Sequence, residues 1–545
     1  MDRIHLVTVI QNKKSTIIEC SEQETILEAM IRQDLFYRSD CGGRGTCGKC
    51  KVRVVSGDLK VTTQDKVLFT GQELRDGARL ACKAMPQEDI TIALGDVSDD
   101  SIKGIVQGTE KAKGTDTVLF RNIDLDHKYQ AVNYYLGIDL GTTTLAFRLA
   151  DNSLERTLAT HTMVNPQRAY GADVISRIKA SNDGKGEQLK EMIRKALEEG
   201  INTVLNSAQL TIHKLSRIAI AGNTTMIHLL MGYSCNGLGL YPFTPVTVDT
   251  IHVNTKDIFS GLNAKNVPVS ILPGISAFVG GDIAAGLAVC GYQSAEDVSL
   301  LIDFGTNGEL ALGNKDRILV TSTAAGPAFE GGNLSCGVGS IPGAINHVSI
   351  HENKITFETI EHLPAVGICG TGAVELLSEL YRTGIIDETG LLSGDYFDSG
   401  FPICGQGKED KRYEQDKQYQ RDRAEFILTQ KDIRELQMAK AAVRAGIEVL
   451  MRRYGVSCNQ VDKVYLAGGF GFYLDADKAI RIGLLPEAFR NKIFTVGNSS
   501  LTGAVMSMTD TGFLSRSEEI ITRCNEIHLS NDEAFQELYL KYMYF

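Results

Sequence analysis

Two stretches of the 545-residue chain, LGIDLGTTT at 136–144 and LLIDFGTNG at 300–308, echo each other. Leu136, Ile138, Asp139, Gly141 and Thr142 recur as Leu300, Ile302, Asp303, Gly305 and Thr306. Each copy reads as an apolar strand with an aspartate at its end, then Gly-Thr in a tight turn. In such a turn backbone and hydroxyl donors can approach phosphate oxygens. Asp139 and Asp303 offer the hard carboxylate oxygens that suit Mg²⁺, through its waters. One D-x-G-T is weak evidence, because such turns also merely end strands; two copies in register are much stronger. A fainter echo pairs IAIAGN (218–223) with VYLAGG (464–469). Two related α/β halves are expected, meeting near residue 297.

Downstream lies LAGGFG at 466–471, where Gly468 and Gly469 would let the backbone lie flat against an adenosine. GGDIAAG at 280–286 carries Asp282 ahead of the second loop. No GxxxxGK[ST] is present, and no complete G-x-G-x-x-G follows a strand, so a P-loop or Rossmann site is unsupported. DLGTTT, IDFGTNGEL and LAGGF, in this order, resemble the actin, sugar-kinase and heat-shock-protein-70 ATPase superfamily. The resemblance implies two lobes closing over ATP, one phosphate loop from each. It implies nucleotide contacts from Asp139, Gly141, Thr142, Thr143, Gly305, Thr306, Asn307, Gly468 and Gly469, and a catalytic role for Asp303. Asp282 could orient the attacking water; helix N-capping is the competing role. NSSLTGA at 498–504 resembles the superfamily's second connecting helix. Gly370-Thr371-Gly372 reads either as a nucleotide contact or as a helix-start turn.

The N-terminal region is built differently. Residues 3–10 and 14–19 read as short strands. Ser21-x-x-Glu24 reads as a capping box ahead of Ile26, Leu27, Met30 and Ile31 on one helical face. Strands are expected at 51–55 and near 79–84 and 89–94. Within this module stands Cys41-x5-Cys47-x2-Cys50-x31-Cys82. Three thiolates in one tight loop and a fourth from a distant strand can surround a two-iron cluster. Gly42, Gly43, Gly45 and Gly48 let the loop curl closely, with amides free to face the sulfurs. Structural zinc is the alternative, but zinc sites usually use two paired hooks rather than three cysteines crowded in one loop. The x5 spacing departs by one residue from the plant x4 pattern and resembles ferredoxins that serve hydroxylase systems, which leaves the potential open. Cysteines 20, 235, 290, 336, 369, 404, 458 and 524 show no ligand spacing and read as packed thiols.

Composition narrows the classes. A net charge of −11 argues against nucleic acid and against an anionic membrane surface as partners. No apolar run approaches the ~18 residues of a spanning helix, and the N-terminus lacks a signal-type apolar region, so a cytoplasmic protein is expected. The organisation expected is an α+β ferredoxin-like [2Fe–2S] domain at 1–95, a polar linker at 96–130, and a two-lobed α/β ATPase at 131–297 and 298–545. The charged stretch 406–424 reads as a solvated excursion, and the terminal KYMYF as packing on the last lobe.

A [2Fe–2S] module, a linker and a two-lobed ATPase together resemble the reductive activators of corrinoid proteins. The resemblance implies ATP-dependent, one-electron reduction of cob(II)alamin to cob(I)alamin on a partner corrinoid protein of a methyltransferase system. It also implies Mg²⁺ with the ATP and a separate low-potential electron donor, since no flavin or nicotinamide domain is evident. The chain lacks Asp-x-His-x-x-Gly, so the corrin should arrive on the partner. A homodimer is compatible with the sequence. A small-molecule kinase with a regulatory redox module, a non-catalytic ATP-gated electron carrier and a radical-dehydratase activator are the rival readings. The four-cysteine loop counts against the last.

Overall fold

The computed structural model describes residues 3–11, 14–33, 35, 37, 39, 41–94, 133–152, 156–262, 266–352, 354–403 and 426–545. The expected linker 96–130, the charged stretch 406–424 and Cys404 lie outside the described residues.

In the N-terminal module five strands lie in the spatial order Lys14–Ser21, Ile4–Gln11, Ile90–Leu94, Lys51–Ser56, Ala78–Leu80. Alternation along Ile4–Gln11 turns Val7 and Val9 inward, onto Ile26, Met30 and Ile92. Two expectations need correcting here. The helix Ile26–Arg32 is capped by Thr25, whose hydroxyl accepts from Glu28 N–H in a full capping box. Thr25 has the extended backbone that a cap requires, whereas Ser21 to Glu24 closes a turn at the strand's end and Glu24 pairs with Arg32. The strand expected near 79–84 stops at Leu80. Lys83 and Ala84 both donate to the Leu80 carbonyl, so Cys82 rides on a turn.

That turn is fixed from beneath by Asp65, which is 1% exposed. Its Oδ2 accepts from Thr62 N–H and Oγ1, each at 2.7 Å, and its Oδ1 accepts from Leu80 N–H at 2.8 Å. Asp65→Ala leaves the buried Leu80 amide without a partner, at a cost of about 1–3 kcal/mol. A lower melting temperature and a less stable cluster are expected in that variant, measured by calorimetry and by bleaching of the visible absorbance.

The rest of the described chain is built on two six-stranded sheets that share a five-strand plan, with a three-stranded and a two-stranded sheet beside them. The first runs Ile251–Asn254, Pro268–Ile271, Leu215–Gly222, Tyr134–Leu140, Thr144–Asp151, Thr157–Val164. The second runs Ile493–Gly497, Lys463–Ala467, Ser299–Phe304, Gly308–Gly313, Ile318–Thr323, Cys524–Glu526. In each, the strand ending in the repeated aspartate turns back through Gly-Thr into an antiparallel hairpin and lies parallel to a later strand on its other side. The fainter sequence echo is also structural: Asp139 stands opposite Ala221, and Asp303 opposite Ala467. Long helices, Gly186–Ser207 and Gln430–Tyr454, bury their apolar faces on the two hairpins. The fold is therefore a small α+β module followed by a duplicated, two-lobed α/β unit.

Two helices, Gly281–Val289 and Ser499–Thr509, cross between the lobes and share one apolar core with both sheets. Their backbones approach so closely that a Cβ on Gly503 would lie 2.6 Å from Ala285 Cβ. The chain end packs on the second lobe: Phe545 lies 5.2 Å from the Tyr381 ring, with Lys440 Nζ 4.6 Å above it.

Candidate functional site: a cysteine loop and a two-lobed phosphate cleft

The glycines Gly42, Gly43, Gly45 and Gly48 take φ of 59°, 83°, 79° and 71°, the left-handed region that lets the loop wind inward. This winding gathers the four cysteines. Cys41, Cys50 and Cys82 are buried and Cys47 is partly exposed. Their thiols touch in pairs, Cys41 with Cys47 and Cys82, and Cys50 with Cys82. Contact with Cys47 drives the Cys41 thiol down, and contact with Cys82 does the same to Cys50. Cys47 and Cys82 are driven up as the proton-holding members. The Lys49 N–H donates to Cys47 Sγ at 3.5 Å. Two irons need only a pair of thiolates each, so this donor set fits a [2Fe–2S] cluster. Of the other described cysteines, Cys20, Cys235, Cys290, Cys369, Cys458 and Cys524 are all pushed up by burial, as inert packed thiols should be.

The two phosphate loops face each other across the cleft. Gly141 N–H donates to Thr144 O at 3.1 Å and Gly305 N–H to Asn307 O at 3.0 Å, so both turns are closed by their own backbone. Thr143 Oγ1 and Thr306 Oγ1, one from each lobe, lie 2.8 Å apart. Thr142 points elsewhere, its hydroxyl accepting from Asn223 Nδ2 at 2.9 Å. Asn307 turns its side chain to Glu309. Gly468, at φ 79°, lies against the second loop: a Cβ there would be 2.8 Å from Asp303 Oδ1 and 2.7 Å from Phe304 O. Gly469 lines the cleft beside Phe470, which stacks on Phe329 at 4.8 Å. The Gly370-Thr371-Gly372 segment begins the helix Gly370–Arg382 and packs inward; a Cβ on Gly370 would overlap Phe329 O at 1.8 Å.

Asp139, Asp282 and Asp303 come together beside the phosphate loops, each only partly exposed. Asp139 accepts from Asn498 Nδ2 and Ser500 Oγ, each at 2.8 Å, and burial nevertheless raises its pKa. Both donors come from the start of the crossing helix Ser499–Thr509, whose family role was expected from NSSLTGA. Burial first, then the neighbouring carboxylates, pushes Asp303 up to about 8; burial, then Asp139, pushes Asp282 up to about 7. Glu309, 9% exposed, is raised for the same reasons. Asp282 is the second residue of the helix Gly281–Val289 and does not cap it: the N-cap is Gly280, with no side-chain cap, and Asp282 Oδ1 accepts from the adjacent Ile283 N–H at 2.9 Å. Such an acidic group, close to hydroxyl donors and a glycine-lined wall, fits a metal-bound nucleoside triphosphate.

A short segment, 165–177, joins the two centres. On one side Asn165 Nδ2 donates to Gly141 O at 2.9 Å and the fully buried Arg177 donates to Thr142 O at 2.6 Å, which together brace the first phosphate loop. Burial brings the Arg177 pKa down to about 9. On the other side Arg44, two residues into the cluster loop's glycine run, donates to Ser176 Oγ at 3.3 Å and to Cys41 O at 2.9 Å. Gly42 rests on Tyr170, where a Cβ would lie 2.3 Å from the carbonyl oxygen. Sequence reasoning did not single out Asn165, Arg177, Asn223 or Arg44, since none sits in a motif with a fixed chemistry.

Three family models match. Residues 9–87 match the 2Fe–2S iron–sulfur cluster binding domain, 134–295 the RACo middle region, and 297–545 the C-terminal ASKHA domain of RACo. The "Corrinoid activation enzyme RamQ" of Eubacterium limosum is 34% identical over 424 residues, 75% of this chain and 69% of that protein. The "[Co(II) methylated amine-specific corrinoid protein] reductase" of Methanosarcina barkeri is 26% identical, over 75% of this chain and 76% of its own. A solved structure titled "Reductive activator for corrinoid,iron-sulfur protein" superposes with a TM-score of 0.69 at 27% identity, covering 99% of this chain and 98% of the other. With the cluster loop, the doubled phosphate hairpin and this coverage in agreement, the chain belongs to the family of reductive activators of corrinoid proteins.

Proposed function

We propose that this chain takes one electron from a low-potential donor and passes it to a Co(II) corrinoid on a partner protein, forming Co(I), with ATP hydrolysis driving the uphill step. The observation that carries this reading is the shared segment 165–177, whose two faces hold the cluster loop and the first phosphate loop. A change at Gly141–Thr143 on nucleotide binding is thereby transmitted to the protein around Cys41. The corrinoid partner follows the names of the relatives, a corrinoid activation enzyme and a Co(II) corrinoid protein reductase.

When bound by Cys41, Cys47, Cys50 and Cys82, the cluster would supply a single electron; plant-type clusters do so at roughly −400 mV. The Co(II)/Co(I) couple is expected to lie lower, and each ~60 mV of shortfall is a tenfold adverse equilibrium, or ~1.4 kcal/mol. Differential binding of the partner by open and closed lobes can offset a few kcal/mol of this kind. In this reading Thr143 and Thr306 grip the terminal phosphate from opposite lobes. Gly141, Thr142, Gly305 and Asn307 shape the two turns, and Gly468 and Gly469 leave room for the adenosine. Asp139, Asp282 and Asp303 would hold Mg²⁺, Asp303 being the one whose loss should stop hydrolysis. The division of labour follows segments 1–95, 131–297 and 298–545. No described helix is long and apolar enough to cross a membrane.

The rival kinase reading is separated by its product. The cleft opens into a cavity of about 460 Å³ beside Thr143, lined by Met163, Phe329 and Ile341 and by the polar Asn165, Arg168 and Lys195. Mixing the reduced chain with Mg-ATP and a Co(II) corrinoid protein should make the cob(I) absorbance band grow, and only with ATP. Phosphate transferred to a small metabolite with no cob(I) band would instead establish the kinase.

A further inference from the structure

One carboxylate of the cleft lies apart from the three aspartates. Glu330 ends the short 3₁₀ turn Pro327–Glu330, just before Gly331 at φ 75°. Its Oε2 accepts from Thr143 Oγ1 at 3.0 Å and from Thr306 Oγ1 at 2.9 Å. One carboxylate oxygen therefore contacts both phosphate-loop hydroxyls, one per lobe. Glu330 also lines the cavity beside Thr143 and Gly469. Asp282, by comparison, is grouped with Asp139 and Asp303 and directs an oxygen to its own helix start.

We infer that Glu330, rather than Asp282, orients and deprotonates the water that attacks the terminal phosphorus of ATP. The inference rests on the nucleotide reading of the cleft. Wherever Thr143 and Thr306 hold the terminal phosphoryl group, Glu330 is the carboxylate beside both holding groups, and so beside the place where the attacking water must come within reach of its base. The hydroxyls are rotors, so the protons now given to Glu330 can turn to phosphate oxygens without moving either threonine. In the step itself, a water proton passes to Glu330 and the water oxygen bonds to phosphorus. The bond from phosphorus to the bridging oxygen breaks, and its electron pair leaves with ADP. The proton then returns to solvent. Burial holds the Glu330 carboxyl above the usual range, while Thr306, Arg168 and Thr143 pull it back, so it can both take and release that proton.

Glu330→Gln separates this from a purely structural tie, because the amide oxygen still accepts from both threonines but is no base. In the full chain with its cluster, calorimetry should find Mg-ATP bound by the variant at least as well as by the wild type. Phosphate release in a single turnover should slow by about 10²-fold or more. Asp282→Asn, which alters a carboxylate assigned to the metal, should instead weaken Mg-ATP binding, and that split between binding and turnover separates the two residues. Wild-type hydrolysis by Glu330→Gln would overturn the inference. So would loss of ATP binding in that variant, which would make the charge a tie between lobes. A wild-type chain that fails to bind ATP in the same calorimeter would overturn the nucleotide reading and this inference with it.

Discussion

Cys47→Ser is expected to leave a colourless chain that retains neither iron nor sulfide yet still binds ATP. The loop holds Cys47 at the most open corner of the donor set, in contact with Cys41. A serine there nearly matches the volume but offers a hard, protonated oxygen where a soft thiolate is needed. The three remaining thiols cannot complete two iron pairs. The damage should stay local, because Val7, Ile26, Met30 and Ile92 form a core separate from those of the lobes. Metal analysis and the reduced-state electron paramagnetic resonance signal check this. Retention of a full cluster by Cys47→Ser would remove Cys47 as a ligand, and zinc in the wild-type chain would remove the cluster itself.

Asp303→Ala should do the reverse, leaving the cluster intact and silencing the cleft. Loss of one carboxylate that orients metal-bound water is expected to weaken Mg-ATP binding by roughly 10–100-fold. ATP-dependent electron transfer should fall below detection. The same residue carries a stability effect of opposite sign. Its pKa is raised from 3.8 to about 8 in the folded chain, by burial and then by Asp282 and Asp139. Between those values the folded chain holds a proton that the unfolded chain has released. Its contribution therefore declines as pH rises and levels off above about 8. Asp303→Asn, neutral at every pH, should melt higher than the wild type above pH 8 in the absence of nucleotide and metal. The difference should shrink in acid. Equal melting curves at both ends would mean that Asp303 is not crowded as described.

Much of this architecture could be read in advance because its signals are local. An apolar strand, an aspartate and Gly-Thr lie within nine residues, and the sheet pairing of Asp139 with Ala221 and Asp303 with Ala467 repeats what the fainter echo implied. Three of the four cysteines likewise sit in one ten-residue loop. What stayed illegible depends on tertiary placement. Glu330 meets Thr143 from 187 positions away, inside GPAFEGG, a stretch with no standard chemistry. Asp65 matters because Leu80 happens to lie above it, and Arg177 because its buried guanidinium reaches the turn at Thr142. Thr142 and Thr143 are indistinguishable in sequence; only the turn decides that one faces Asn223 and the other Thr306. Even the misplaced helix start was a close contest, since Ser21-x-x-Glu24 and Thr25-x-x-Glu28 both satisfy the capping pattern.

The most direct test follows the electron itself. The chain is reduced anaerobically, mixed with a Co(II) corrinoid partner, and frozen at intervals with and without Mg-ATP. The account predicts that the reduced-cluster signal falls in step with cob(I) formation when Mg-ATP is present and stays constant without it. Equal transfer without nucleotide, or ATP consumed while the cluster signal never changes, would contradict it.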